Sequence, residues 1–339
     1  MNKPRRQPRD RIDGVLLLDK PHGLSSNDAL MRARRLLNAA KAGHGGTLDP
    51  MATGLLPLMF GEATKFADDS LAADKTYLAE LTLGVATDTA DAEGRPIAQR
   101  EVRCDEAQFR AAAAAFVGEI EQTPPMHSAL KRDGKPLYEY ARAGIEVERA
   151  ARRVTIHAIE VLSFAAPVAV IRVSCSKGTY IRTLAADIGE RLGCGAHLSG
   201  LRRERVGALA VADAITLPAL EALAPAERAA RLAPVDALLA GLPQVRLDAA
   251  LAARFLHGQR LHASVEAGEA SAEPALAATP AAQGPVGPRT GNAAPRVRVY
   301  HAERLLGVAQ RRADGLLIPL RLIATGAADE PRNIPVASH

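Results

Sequence analysis

The 339-residue sequence has few aromatic and sulfur-containing residues: no Trp, five Tyr and three Cys. Cys104, Cys175 and Cys194 lie far apart in the chain, without the paired spacing of a disulfide framework or a zinc knuckle. We therefore expect reduced thiols, as in cytoplasmic proteins. No apolar run approaches the ~20 residues of a membrane span, and no apolar segment follows the basic start as in a signal peptide. These absences predict a cytoplasmic protein without a membrane partner.

Charge and hydrophobicity point to a globular protein with an anionic partner. Lys and Arg number 43 against 38 Asp and Glu, a net charge of +5, and hydrophobic residues make up 47% of the chain. That apolar fraction is enough to build a core. The mild basicity favours nucleic acid as a partner, although a basic enzyme would have the same balance.

Strand and helix patterns alternate along residues 12–242 without a strict βαβ order. Period-two patterns predict strands, whereas apolar spacing of three and four predicts helices. The sequence therefore indicates an α+β fold, with a mixed, largely antiparallel central sheet flanked by helices. Residues 41–61 are rich in Gly, Pro and Thr and are expected to form a loop with at most a short helix. The predicted strands are 15–18, 75–83, 153–163 and 168–174, and the predicted helices 30–37, 106–117 and 180–192.

The composition changes near Pro243, and short strand patterns then predict a small β-rich module over residues 243–325. Within it, residues 263–295 are rich in Ala, Pro and Gly, lack aromatic residues and have no apolar period, so we expect an insertion without order. Residues 1–11 are expected to form a basic flexible arm, 12–242 the main domain and 326–339 a flexible tail.

Residues 43–54, Gly-His-Gly-Gly-Thr-Leu-Asp-Pro-Met-Ala-Thr-Gly, form the first candidate site. Glycines permit a tight backbone, so Asp49 can be held on a loop close to a ligand. A dinucleotide-binding fingerprint would need Gly where Leu48 stands, and a P-loop would need Gly-Lys-Ser/Thr. Taken alone, Asp49 before Pro50 is more typical of an ordinary turn.

Two of the five tyrosines lie in polar segments, residues 75–77 and 176–182. A tyrosine in such a setting is suited to stacking on a nucleobase. A lone Tyr in a strand such as Tyr77 is, however, more often a core or rim residue, and residues 176–182 could be a capped helix start. The basic run at residues 202–205 is typical of a solvated face.

Taken together, these segments resemble the TruB family of tRNA pseudouridine synthases, and the resemblance extends over residues 14–240. Each motif is weak alone, whereas their joint order is specific. Gly45 stands where the family often has Thr, and His127 stands where it usually has Tyr, so a direct Tyr contact at that point is not expected. The matching motifs are residues 19–26, 43–57, 61–65, 75–77, 122–125, 128–131, 176–182 and 201–203.

The resemblance implies the isomerisation of uridine 55 in the T-loop of tRNA, with the base flipped out of the folded RNA. It makes Asp49 the essential carboxylate, as a nucleophile or as the base that starts a glycal-type route. It pairs Arg182 with that carboxylate and places Tyr77 on the uracil, near the proton that leaves C5. Tyr180 and Leu201 would line the pocket.

Further expectations concern RNA contacts. The resemblance implies that His44 enters the RNA near the vacated position, although a His satisfied within the loop is also compatible with the sequence. Lys20, Lys65 and Lys131 fit phosphate contacts or packing of the basic turns. The C-terminal strands resemble a PUA-like RNA-binding module. We expect a monomer that binds the T-arm and uses no cofactor and no metal.

Two other classes of protein would share part of this pattern. A non-catalytic RNA-binding or chaperone protein would explain the basicity and the tyrosines, but it would not need the Asp49 loop. A metal-dependent hydrolase would need clustered ligands, whereas the nine histidines are dispersed. Release of tritium from C5-labelled uridine, with and without chelator, distinguishes all three.

Overall fold

The computed structural model describes residues 8–262 and 294–324, and the chain divides into two compact units, residues 1–238 and 239–339. The first unit is built around one large sheet and two small hairpins. Its strands are β1 Gly14–Lys20, β2 Ala42–His44, β3 Thr53–Phe60, β4 Lys75–Leu83, β5 Val85–Thr87, β6 Pro96–Gln99, β7 Gly118–Gln122, β8 Lys131–Arg132, β9 Lys135–Pro136, β10 Arg152–Ala165, β11 Val168–Cys175, β12 Ala196–Val206, β13 Leu209–Ala210 and β14 Ile215–Thr216.

The large sheet has ten strands in the order β14-β1-β3-β12-β4-β11-β10-β7, with β2 added to β3 and β13 to β12. Only the β1–β14 and β3–β12 pairs are parallel, and the other pairs are antiparallel. The predicted α+β fold with a mixed, largely antiparallel sheet is confirmed. Strands β5 and β6 form one separate hairpin and β8 and β9 another.

Helices cover the sheet through apolar stripes. On α5, the buried residues Ile181, Leu184, Ala185 and Ile188 recur at a spacing of three and four, which places them on one helical face. The Ser25 hydroxyl caps α1 by accepting from the Asp28 amide at 3.1 Å. The helices of this unit are α1 Ser26–Leu36, α2 Ala67–Ala72, α3 Glu106–Ala114, α4 Leu137–Arg142, α5 Ile181–Arg191, α6 Leu217–Ala222 and α7 Pro225–Ala230, with 3₁₀ turns at Gly61–Phe66, Val211–Asp213 and Val235–Leu239.

The loop predicted for residues 41–61 is wrong over most of its length, because β2 and β3 lie there. Seven of the eight residues of β3 are buried, so the apolar run after Gly54 outweighs the turn-forming residues around it. Pro57 lies beyond the paired residues of both β12, which pairs with β3 only at Thr53 and Gly54, and β2, which ends at His44 opposite Leu58. The missing amide hydrogen of Pro57 therefore costs no bond to β12.

Two further expectations need correction. The basic run at residues 202–205 is a solvated face only in part, because Arg205 is exposed whereas Arg203, in β12 between β3 and β4, is only 1% exposed. The arm predicted for residues 1–11 is not free at its end. The Asp10 amide donates to the Asn38 carbonyl at 2.8 Å, and the Asp10 carbonyl accepts from the Ala40 amide at 2.9 Å.

The second unit is β-rich, as predicted. It contains β15 Gln244–Arg246, α8 Ala249–Leu256, β16 Leu261–His262, β17 Arg296–His301, β18 Arg304–Arg311 and β19 Leu316–Leu322, in the sheet order β15-β17-β18-β19-β16. Phe255 and Val299 lie at the centre of its separate apolar core. Nearly all of the insertion predicted at 263–295, and the whole tail predicted at 326–339, lie outside the described residues.

Candidate active site

Asp49 lies in a short turn between β2 and β3, and its backbone is fixed on both sides. The Ser26 hydroxyl, which is buried at the start of α1, donates to the Leu48 carbonyl at 3.0 Å and accepts from the Leu48 amide at 2.8 Å. On the other side, the Ala52 amide donates to the Asp49 carbonyl at 3.0 Å. This turn presents the Asp49 side chain at 36% exposure, so the carboxylate is open to a substrate.

Lys20 stabilises the same turn through hydrogen bonds from its buried side chain. Its side chain is fully buried, and its ammonium donates to the carbonyls of Pro21 at 2.9 Å, Leu24 at 2.7 Å and Pro50 at 3.4 Å. Burial lowers the pKa of Lys20 to about 8, against the opposing charge of Asp49. Of the two roles predicted for Lys20, packing of the basic turn fits this geometry and a phosphate contact does not, because its ammonium is enclosed and its donors are taken by backbone.

Arg182 joins Asp49 to a second carboxylate. The guanidinium is 5% exposed; its Nε lies 3.1 Å from Asp49 Oδ2 and its Nη1 lies 3.2 Å from Asp91 Oδ2. Its remaining bonds go to backbone, from Nη2 to the His127 carbonyl at 2.6 Å and from Nη1 to the Thr89 carbonyl at 3.4 Å. The structure thus brings together the two side chains that the sequence paired, and His127 contributes its carbonyl.

Asp91 is a member of this cluster that sequence reasoning missed. Its side chain is 4% exposed, and Oδ1 accepts from the Thr89 hydroxyl at 2.5 Å and from the Glu93 amide at 3.1 Å. These bonds direct Oδ2 to Arg182. The sequence signal at this position is the density of hydrogen-bonding residues at 88–94, which by itself is typical of a polar turn.

Asp49 is held in an environment that partly disfavours its charge. Burial raises the pKa of Asp49 above its ordinary value, and Arg182 opposes this shift. Asp91 raises it further, whereas Lys20 and His127 lower it. Among the described residues, Asp49 Oδ1 has no hydrogen-bond partner. One carboxylate oxygen is therefore fixed by Arg182, and the other is free to act on a substrate.

Both candidate tyrosines lie near this carboxylate. Tyr77 is 9% exposed in β4, and burial raises its pKa, whereas the charge of Arg203 lowers it. Tyr180 precedes α5, and its backbone exchanges two bonds with the buried Gln122 side chain, at 3.0 and 3.3 Å. Asp49 raises the pKa of both tyrosines through its charge, after the larger effect of burial. The Gln122 clamp explains how the segment before α5 is held at the end of β7.

The remaining predicted residues differ in their surroundings. His44 ends β2; its Nδ1 is buried with no hydrogen-bond partner among the described residues, and burial lowers its pKa. Leu201 is half-buried in β12. Lys65 forms an ion pair with Glu62 at 2.6 Å, whereas Lys131 is exposed at the start of β8.

The part of the chain that the structure describes contains neither a metal-binding cluster nor a membrane-spanning helix. Within it, no three His, Cys, Asp or Glu side chains are grouped so that they could hold a metal ion. No described helix is long and apolar enough to cross a membrane.

Comparison with known families and structures agrees with the resemblance. The chain is 63% identical over 324 residues to tRNA pseudouridine synthase B of Burkholderia mallei, covering 95% of this chain and 97% of that protein. It is 59% identical to tRNA pseudouridine synthase B of Cupriavidus taiwanensis, covering 95% and 98%.

The fold is shared with solved structures. The archaeal box H/ACA sRNP Nop10-Cbf5 complex matches with a TM-score of 0.64 and 24% identity, over 91% of this chain and 85% of that one. A Cbf5-Nop10-Gar1 complex matches with a TM-score of 0.65 and 25% identity, over 92% and 84%. Residues 34–181 match the N-terminal domain model of the TruB family pseudouridylate synthases, and residues 182–240 match the tRNA pseudouridylate synthase B C-terminal domain. The chain therefore belongs to the TruB family of pseudouridine synthases.

Proposed function

We propose that this protein converts uridine 55 in the T-loop of tRNA to pseudouridine, with Asp49 as the essential carboxylate. The observation that carries the proposal is the half-exposed Asp49 side chain, one oxygen of which is held 3.1 Å from the buried Arg182 guanidinium. The relatives from Burkholderia and Cupriavidus, both named tRNA pseudouridine synthase B, support tRNA as the substrate.

The reaction balances within the nucleotide. The N1–C1′ bond breaks, the uracil turns, and a C5–C1′ bond forms. C5 loses a proton and N1 gains one. No atom and no electron pair is gained or lost overall, so the isomerisation itself calls for no redox cofactor and no water as reactant.

Asp49 can act in this sequence in two ways. As a nucleophile it would attack C1′ and release the uracil, and as a base it would remove a sugar proton and give a glycal-type intermediate. Both routes need the ionised carboxylate. Arg182 supplies the fixed charge that keeps Asp49 ionised in spite of its burial, and Asp91 anchors that guanidinium from the opposite side.

Tyr77 and Tyr180 would enclose the flipped base, with Leu201 lining the pocket and Tyr77 closest to the proton leaving C5. The ordinary pKa of a tyrosine, 10.0, already keeps the Tyr77 phenol protonated at neutral pH, and burial raises that pKa further. A neutral aromatic ring of this kind is suited to stacking on uracil. His44 would enter the RNA near the vacated position. Burial lowers the pKa of His44 in the free protein, so its ring is predominantly neutral at pH 7 before RNA binds.

The two units have different roles in this function. Residues 12–242 carry the chemistry, and the β-rich second unit acts as a PUA-like RNA-binding module. Lys131, which is exposed, and Lys65 contact phosphate. The protein works in the cytoplasm as a monomer, and it needs neither a metal nor a cofactor.

Tritium release from tRNA labelled at C5 of uridine tests this function directly. Wild-type protein is expected to release tritium in the presence of chelator, and tRNA with cytidine at position 55 is expected to release none. Binding without release would favour an RNA-binding protein. Chelator-sensitive strand cleavage would favour a metal-dependent hydrolase.

A further inference from the structure

Arg203 is a buried cation that the proposed mechanism does not yet use. It is 1% exposed, and its guanidinium donates from Nε to the Leu55 carbonyl at 2.7 Å and from Nη2 to the Gly46 carbonyl at 3.2 Å. It forms no ion pair with any carboxylate among the described residues. A buried charge without a counterion is unfavourable unless most of its donors are used, so these contacts are central to its stability.

Tyr77 lies next to this cation, on the neighbouring strand β4. Arg203 and Tyr77 are direct partners in the antiparallel β12–β4 pair, so their side chains lie on the same face. Burial raises the pKa of Tyr77, and the charge of the neighbouring Arg203 guanidinium is the main influence that lowers it. The other charges acting on Tyr77 are Cys175 and Asp49, and both raise its pKa.

The backbone of Arg203 also packs closely against β3. Arg203 pairs with Gly54, where φ is +97° and a Cβ atom would lie 2.3 Å from the Arg203 carbonyl oxygen. Only glycine allows this approach. Gly46 belongs to the glycine-rich loop that leads to Asp49. One residue therefore connects the strand of Tyr77, the strand after Asp49 and the loop before it.

We propose that Arg203 is a positioning residue for uridine isomerisation, which fixes the Tyr77 hydroxyl as a hydrogen-bond acceptor and aligns it with the loop that carries Asp49. A guanidinium has donors only, so the Tyr77 oxygen must accept and its own hydrogen is left for another partner. The orientation of the hydroxyl is thereby defined beside the base. The proposal depends on the proposed function, because it acts through Tyr77.

Kinetics of matched variants test the role in the reaction. Arg203→Gln removes the charge, Arg203→Lys keeps it but loses the planar fork, and Arg205→Gln is the control. Arg205 is exposed on the same strand, and among the described residues its side chain donates only to the Ala208 carbonyl. At saturating tRNA we expect the single-turnover rate to fall at least about tenfold in Arg203→Gln and less in Arg203→Lys, with tRNA affinity and the control rate nearly unchanged.

A double-mutant cycle separates positioning from general support of the fold. If Arg203 acts through the Tyr77 hydroxyl, Arg203→Gln should slow Tyr77→Phe by less than about threefold. Full additivity of the two losses would contradict the inference, because it would mean that Arg203 supports the site independently of that hydroxyl.

Fluorine NMR of protein labelled with fluorotyrosine gives a readout that does not depend on activity. Tyr77 is assigned as the resonance missing from Tyr77→Phe, and its ionisation should move to higher pH in Arg203→Gln but not in Arg205→Gln. If Arg203→Gln does not fold, Arg203→Lys is measured instead, with a smaller shift in the same direction. An unshifted Tyr77 in an active protein would overturn the inference alone, whereas a wild type inactive on tRNA would overturn the proposed function.

Discussion

At the scale of single residues, Asp49 and Asp91 share one guanidinium but differ in exposure. Asp91 is 4% exposed and its Oδ1 accepts hydrogen bonds from the surrounding turn, whereas Asp49 is 36% exposed and its Oδ1 has no hydrogen-bond partner in the described part of the chain. Asp91 is therefore suited to orient Arg182, and Asp49 is suited to meet a substrate. Removal of either partner of a buried ion pair is strongly unfavourable. Because Asp91 is buried against Arg182, its substitution should be poorly tolerated.

The raised pKa of Asp49 predicts the acidic limb of the reaction. Because the ionised carboxylate is the active form, the single-turnover rate should fall as the pH falls through this raised pKa, above the ordinary value of 3.8. Protonation of Asp49 should not itself destabilise the fold, because a raised carboxylate pKa disfavours the ionised folded form, and this penalty disappears as the pH falls. Rates and thermal unfolding measured together over an acidic pH series check both statements. A rate that stays flat below pH 3.8 would contradict the statement on the ionised carboxylate.

Lys20 and Lys131 offer a matched test of loop support against phosphate contact. Lys20→Met leaves three carbonyls without their donor, so we expect slower chemistry and an unchanged salt dependence of tRNA binding. Lys131→Met should leave the saturating rate intact and reduce the slope of log affinity against log salt by about 0.7–0.9. Filter binding over a salt series decides between the two roles. A smaller slope for Lys20→Met would restore it as a phosphate contact.

At the scale of elements, local patterns identified β4, β10, β11 and α5, because their periodicity lies within the segment itself. Strands β3 and β12 were not identified. β3 contains Gly54 and Pro57, two residue types that locally favour turns. β12 contains a basic run, which locally favours exposure to solvent. Their burial depends on pairing between residues about 150 positions apart, such as Arg203 with Gly54. For the same reason, Asp49 and Arg182 came from the family resemblance, whereas Asp91 and the buried state of Lys20 needed the structure.

The β3–β12 contact can be tested at Gly54. Gly54→Ala should lower the free energy of unfolding by about 2 kcal/mol or more, because alanine is strained at φ +97° and its Cβ would meet the Arg203 carbonyl at 2.3 Å. Gly193→Ala is the control: φ is +78°, but no atom lies within 4 Å, so the cost should be only about 1 kcal/mol. Urea unfolding of both variants measures the difference. Equal losses would mean that β12 does not approach β3 so closely.

At the scale of the whole molecule, each compact unit has its own apolar core, and every candidate catalytic residue belongs to the first. A chain ending at residue 242 should therefore fold and keep its saturating single-turnover rate within a few-fold. Its affinity for tRNA should fall, because the proposed RNA-binding module is gone. Titration of the truncated chain with tRNA, followed by rate measurement at saturation, tests this division of labour. A folded truncation without activity at any tRNA concentration would contradict it.

The most direct test of the account is Asp49→Asn, measured for pseudouridine formation and for tRNA binding side by side. Asparagine has nearly the same size and shares the turn preference of aspartate, so a residue that only shaped the turn would tolerate it. We predict that pseudouridine formation falls below detection, that tRNA affinity is equal or slightly higher, and that the variant remains folded. A folded Asp49→Asn protein that converts uridine at nearly the wild-type rate would contradict the central claim.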